Sequence, residues 1–172
     1  MVLERFAALS NSTRLLLCYG LAFFVVVLDL YTKNLATQEL VYGRPVEIFS
    51  WFNLTLQHNT GAAFSFLSEA GGWQRYFFST VATVISAVLV VWIFKLDRQQ
   101  WLLALSLSLI LGGAIGNLWD RLTLGYVVDF ISVHYAGKYF PAFNIADSAI
   151  SIGAVCMLLE SFLQKNDPAS EK

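Results

Sequence analysis

Charge is scarce along this chain. Only 13% of its 172 residues are Asp, Glu, Lys or Arg, while 57% are hydrophobic, a balance that excludes an ordinary soluble domain. The 12 acids and 11 bases nearly cancel, so no basic surface is expected for nucleic acid. Histidine and cysteine are rarer still, with two of each. His58 and His134 stand far apart without a cysteine partner, which argues against zinc and leaves no metal or cofactor expected. Cys18 and Cys156 lie inside apolar runs, where a thiol acts as a small apolar side chain and a structural disulfide is not expected. Repeats and low-complexity segments are absent, and little sequence remains for a separate soluble domain.

What is present is a set of long apolar runs. Tyr76 to Phe94 and Trp101 to Trp119 carry no charge, and each is about the length that crosses a bilayer as a helix. Leu15 to Tyr31 carries only Asp29, and Phe140 to Leu159 only Asp147. The fold class expected is therefore an all-α membrane protein, a single membrane-embedded domain over 1–172 with spans at about 14–35, 74–94, 101–120 and 142–163. The first run is read as a retained span: Leu15, Leu16 and Leu17 precede Cys18 where a cleavage site wants small residues, and the run continues to Leu28. Between spans one and two, Val46 to Asn59 is rich in aromatic and β-branched residues. Ile48, Trp51, Phe52, Leu54 and Leu56 alternate imperfectly there with polar neighbours, which indicates strand. A small extramembrane β-element over about 40–72 is expected, followed by an amphipathic stretch containing Phe64, Phe66, Leu67 and Trp73. Residues 122–139 read as a longer connection. Arg5, Arg14, Lys95, Arg98, Lys165 and Lys172 would share one side, and Lys33, Arg44, Arg75, Arg121 and Lys138 the other; with Lys33 and Arg121 discounted for their functional explanations, the positive-inside rule makes the first side cytoplasmic together with both termini.

In an up-down bundle of four spans, the end of span one, the start of two, the end of three and the start of four meet at one side. The polar residues gather at those places. Asp29 and Lys33 close span one, and Asn117, Asp120 and Arg121 close span three. Asp129 follows span three, while Asn144 and Asp147 open span four. Asn117 with Arg121 and Asp29 with Lys33 are spaced i,i+4, and Asn144 with Asp147 i,i+3, so each pair shares a helical face. Gly112, Gly113 and Gly116 give span three a small-residue stripe that admits a close neighbour. A carboxylate at membrane depth is costly and marks function by default. Two carboxylates held close share one proton; the charged one can then activate water while the protonated one polarises a carbonyl.

Plainer readings stand beside this one. Asp29 with Lys33 could be an ion pair at a helix end, Asp120 with Arg121 an ordinary polar terminus, and Asn144 a helix cap. Asp147 resists such a reading, since a cap has no evident need of an acid one turn inside an apolar span. A serine nucleophile lacks a placed base and a Gly-x-Ser-x-Gly elbow, and a Ser–Lys pair using Lys33 has no distinctive spacing. Two membrane aspartates could also serve a proton or cation carrier, or a structural polar knot. The near absence of polar residues in the opposite halves of the spans weakens the carrier, and spacing alone favours hydrolysis only slightly.

Five segments carry a family resemblance: Asp29 to Lys33, Asn59 to Ser65, Gly112 to Arg121, Val127 to Ile131 and Phe143 to Asp147. In this order and spacing they resemble the lipoprotein signal peptidase (signal peptidase II) family of bacterial aspartic endopeptidases. The resemblance implies a four-helix enzyme of the bacterial inner membrane, its site near the outer leaflet and a β-cradle between helices one and two. It implies a prolipoprotein substrate whose cysteine carries a diacylglyceryl group, with cleavage just before that cysteine. Asp129 and Asp147 would form the catalytic dyad. Asn59, Asn117, Arg121, Asn144 and Gly113 would support it or engage substrate, with Asp29 and Lys33 in a supporting role. Membrane lipids would surround the enzyme, and globomycin-type peptide antibiotics would occupy the site.

Overall fold

The computed structural model describes residues 8–61 and 73–165; the amphipathic stretch expected at Phe64, Phe66 and Leu67 lies outside them. Four long helices and a small sheet follow in the order α1 (Asn11–Glu39), β1 (Val46–Phe49), β2 (Phe52–Asn59), α2 (Trp73–Lys95), α3 (Trp101–Thr123), β3 (Val127–Tyr135), β4 (Lys138–Tyr139) and α4 (Ile145–Lys165). All four helices are long and apolar enough to cross a bilayer. Helix α1 begins on Ser10, whose hydroxyl accepts the Thr13 N–H at 3.1 Å. It continues to Glu39, a turn beyond the expected end of span one.

Helix α3 is the hub. It packs against each of the other three helices, and 61% of its most apolar stretch is buried, against 17–22% in the others. Leu107, Leu111, Ala104, Ile93 and Ala22 form the core around it. Outward-facing Phe23, Phe24, Tyr76, Val88, Phe94, Leu158 and Phe162 stay exposed, as lipid-facing side chains do. Lipid tails are as apolar as these residues, so close packing rather than transfer from water holds such helices together. A Cβ on Gly113 would run into the Ala146 carbonyl, and one on Gly116 would lie 2.6 Å from Asp29 Oδ2. Their missing side chains let α3 lie directly on the first turn of α4 and on the polar end of α1. At the opposite end, buried Arg14 donates to the Leu96 and Asp97 carbonyls at 2.9 and 3.3 Å, tying the α2–α3 hairpin to α1.

The sheet is antiparallel in the order β1-β2-β3-β4. Its first two strands lie in the connection between α1 and α2, and the other two come from the connection between α3 and α4. The longer connection expected over 122–139 is present and contains two strands that the sequence did not reveal. Val127, Val128, Asp129 and Phe130 are buried in succession. A strand covered on both faces loses the alternation by which strands are recognised. Gln57 stands opposite Asp129 and Asn59 opposite Val127. Gly125, at φ 89°, turns the chain out of α3 into β3. Ala136 and Gly137, both at positive φ, form the two-residue hairpin to β4.

Candidate active site

Asp147 owes its position to a reciprocal cap. Asn144 Oδ1 accepts the Asp147 N–H at 2.9 Å, and Asp147 Oδ2 accepts the Asn144 N–H at 3.3 Å. This is a capping box with aspartate in the place usual for glutamate. The sequence argument that a cap has no need of this acid is therefore overturned: Asp147 is half of the cap. The neighbouring first-turn N–H, from Ala146, is satisfied across the bundle by Asp29 Oδ1 at 2.9 Å.

Asp129 reaches the same place from the sheet. It is only 2% exposed. Asn144 Nδ2 donates to its Oδ1 at 2.7 Å and Asn59 Nδ2 to its Oδ2 at 3.0 Å. Asn59, the last residue of β2, is fixed by the Gly61 N–H, which donates to its Oδ1 at 2.8 Å. Burial is the main influence on Asp129 and the Asp147 charge the second. Together they lift its carboxyl from 3.8 to about 7, against the opposing pull of the Asn59 and Asn144 donors and of Lys33. One residue, Asn144, thus hydrogen-bonds both aspartates, by its side chain to one and its backbone to the other.

Behind the aspartates runs a second tier. Asn117 Nδ2 donates to Asp147 Oδ1 at 2.7 Å, while its Oδ1 accepts from Lys33 Nζ at 3.0 Å and Asn144 Nδ2 at 3.2 Å. Lys33 also pairs with Asp29 at 2.7 Å and Asp120 at 3.0 Å. Asp29, Lys33 and Asp120 are at most 3% exposed, so this is a buried cluster of three charges and not the helix-end contact at the interface that spacing allowed. Asp120, for which an ordinary polar helix terminus was the plainer reading, is a full member of this cluster. It lies three residues beyond Asn117 on the same helical face, a spacing that could have revealed it. Its Oδ2 also accepts the Val128 N–H at 3.1 Å, anchoring the backbone beside Asp129.

Arg121 sits apart from this chain of bonds. Its Nη1 donates to the Asn117 carbonyl at 3.2 Å, and its guanidinium lies 5.5 Å from the centre of the Phe78 ring. Phe78 gave no sequence signal beyond its place on an apolar helix. No group of three or more His, Cys, Asp or Glu that could hold a metal occurs among the described residues.

The family model described as signal peptidase (SPase) II matches residues 21–163, most of the chain and every residue of this network. The chain belongs to the signal peptidase II family. Membership makes it a peptidase and decides between the enzyme and the carrier that composition left open. Curated relatives carry the name lipoprotein signal peptidase. One from Teredinibacter turnerae is 56% identical over 143 residues, covering 83% of this chain and 85% of its own. Another from Acinetobacter baumannii is 51% identical over 154 residues, 89% of this chain and 88% of its own. A third, from Pseudomonas putida, is 52% identical and covers 88% and 91%. The fold is similar to a bacterial membrane enzyme solved by the in meso method at 2.3 Å resolution, with TM-score 0.77, 33% identity and coverage of 90% and 92%. The signal peptidase II fold, four candidate membrane-spanning helices with a small antiparallel sheet, is thus a multi-pass membrane fold.

Proposed function

We propose that this peptidase removes the signal peptide from prolipoproteins whose cysteine bears a diacylglyceryl group, cutting just before that cysteine, with Asp129 and Asp147 as the catalytic dyad. The observation that carries the reading is Asn144, which hydrogen-bonds both carboxylates and so holds them to one site. Asp129 carries the shared proton, in keeping with its deep burial and its raised value of about 7. Asp147, the less buried of the two, takes a proton from water as the hydroxyl adds to the scissile carbonyl. The Asp129 hydroxyl polarises the carbonyl oxygen and stabilises the charge that develops there. Collapse breaks the C–N bond, the leaving amine takes the proton from Asp147, and one proton is again shared by the pair.

Supporting roles follow from the bonds already described. Asn59, Asn117 and Asn144 orient the two carboxylates, and Arg121, at the edge of the network, engages the substrate backbone. Asp29 braces α1 against α4 and Lys33 braces it against α3, while Gly113 sets the α3–α4 approach. The whole chain forms a single membrane-embedded domain. In a bacterial inner membrane with both termini cytoplasmic, the dyad falls near the outer leaflet, where an acyl-anchored cysteine presents its peptide bond. Membrane lipids and the diacylglyceryl chains lie along the apolar helix faces, and globomycin-type peptides compete for the same site. Purified protein should shorten a diacylglyceryl-modified precursor on a gel and leave the unlipidated precursor largely intact. Equal turnover of the two precursors would refute the lipid requirement.

A further inference from the structure

Amide side chains have two ends of opposite character, and only the correct end helps a carboxylate. A lysine ammonium donates and never accepts, and the same holds for a backbone N–H. We propose that Lys33, gripped by Asp29 and Asp120, is a positioning residue: its ammonium dictates which way round the Asn117 amide stands and so ensures that Asp147 is met by an N–H donor. This deepens the dyad reading and rests on it.

Lys33 Nζ lies 3.0 Å from Asn117 Oδ1, so the Asn117 oxygen must face α1. The Asn117 NH2 is then left pointing at Asp147 Oδ1, 2.7 Å away. Asn144 is fixed in the same manner by the Asp147 N–H, which claims its Oδ1 and turns its NH2 toward Asp129. The two amides also touch, Asn144 Nδ2 donating to Asn117 Oδ1 at 3.2 Å. A reversed Asn117 would therefore set NH2 against NH2, NH2 against ammonium, and carbonyl oxygen against Asp147. One buried cation thereby fixes the donor direction along the whole row Lys33–Asn117–Asp147. Asp29 and Asp120 keep that cation charged and in place where an unpaired ammonium would be costly. Asp120 also holds the backbone next to Asp129 through its bond to the Val128 N–H.

A purely structural ion cluster would make a different prediction, and a variant set separates the two. Lys33→Met alone strands two buried carboxylates, so Lys33→Met is combined with Asp29→Asn and Asp120→Asn, which removes all three charges together. The triple variant should keep a cooperative melt in detergent and a KM within about threefold of the parent, while kcat falls about 100-fold. Asn117→Ala alone should lose a similar factor, and adding it to the triple variant should cost less than about threefold more, since the amide is no longer held by the ammonium. Lys33→Arg, still donor-only, should keep at least about a tenth of kcat per folded molecule, which tests the idea even if the triple variant misfolds. Multiplicative losses in the triple and Asn117→Ala variants would overturn the inference. So would a triple variant with parental kcat, or a folded Lys33→Arg no better than Lys33→Met. Asp147→Asn is assayed alongside: activity there would remove the dyad reading itself, whereas the outcomes above remove only the role of Lys33.

Discussion

Replacing Asp129 by Asn should abolish cleavage and yet make the folded protein more heat-resistant at neutral and higher pH. Its carboxyl lies at about 7 in the fold against 3.8 in free solution, with burial the first cause and the Asp147 charge the second. Between those values the folded chain holds a proton that the unfolded chain has released, so stability falls as pH rises through that window. Above it the full penalty applies, at most roughly 4 kcal/mol at about 1.36 kcal/mol per pH unit. Two effects reduce this. Water penetration and side-chain relaxation around the ionised carboxylate lower the effective penalty. The new amide also offers an N–H to Asn59 or Asn144 where the carboxylate accepted one, at a cost of about 1 kcal/mol. A net gain of about 2 kcal/mol at pH near 8 is expected, roughly 5 °C in melting temperature for a chain of this size. At pH near 4 both forms are neutral and the advantage should vanish. Thermal unfolding of wild type and Asp129→Asn in the same detergent, followed at both pH values, measures the difference. A variant whose melting advantage is no larger at pH 8 than at pH 4 would refute the buried-proton argument.

Three further outcomes are expected. Gly116→Ala places a methyl group 2.6 Å from Asp29 Oδ2, so the purified variant should melt earlier by about 1–3 kcal/mol, with reduced activity. Asn144→Ala removes the cap of α4 and the donor to Asp129 together; kcat should drop by at least about 100-fold in a precursor-cleavage assay, against only about 1 kcal/mol expected from the lost cap. Arg14→Met, at the far end of the bundle, loses the bonds to the Leu96 and Asp97 carbonyls. It should lower the melting temperature by the equivalent of about 1–3 kcal/mol while leaving kcat per folded molecule unchanged.

Long uncharged runs made the helices legible, because a bilayer demands a fixed length of apolar residues and little else does. The gathering of polar residues at one side was legible for a similar reason: an up-down topology turns sequence position into depth. Strand β3 was not, since Val127 to Phe130 are buried on both faces and show no period of two. Asp147 stands out in the sequence as an acid a cap does not need, yet in the fold it is half of the cap, because the reciprocal bond to Asn144 is not visible in residue spacing. For Asp120, spacing along α3 shows the face it shares with Asn117 but not that Lys33 of α1 lies opposite, so its ion pair is not legible in the sequence. Partners chosen by packing between helices are what a single chain of letters conceals. Asn144 shows the limit best: its capping role was readable from residue type, while its bond to Asp129 depends on a strand the sequence hid.

The central claim is that Asp129 and Asp147 act together on water. It is tested most directly by incubating a diacylglyceryl-modified precursor with purified wild type, Asp129→Asn and Asp147→Asn and following the mobility shift on a gel. Wild type should convert the precursor, and both variants, present in the membrane at normal levels, should leave it uncleaved. Cleavage by either folded variant at a rate near that of wild type would contradict the dyad.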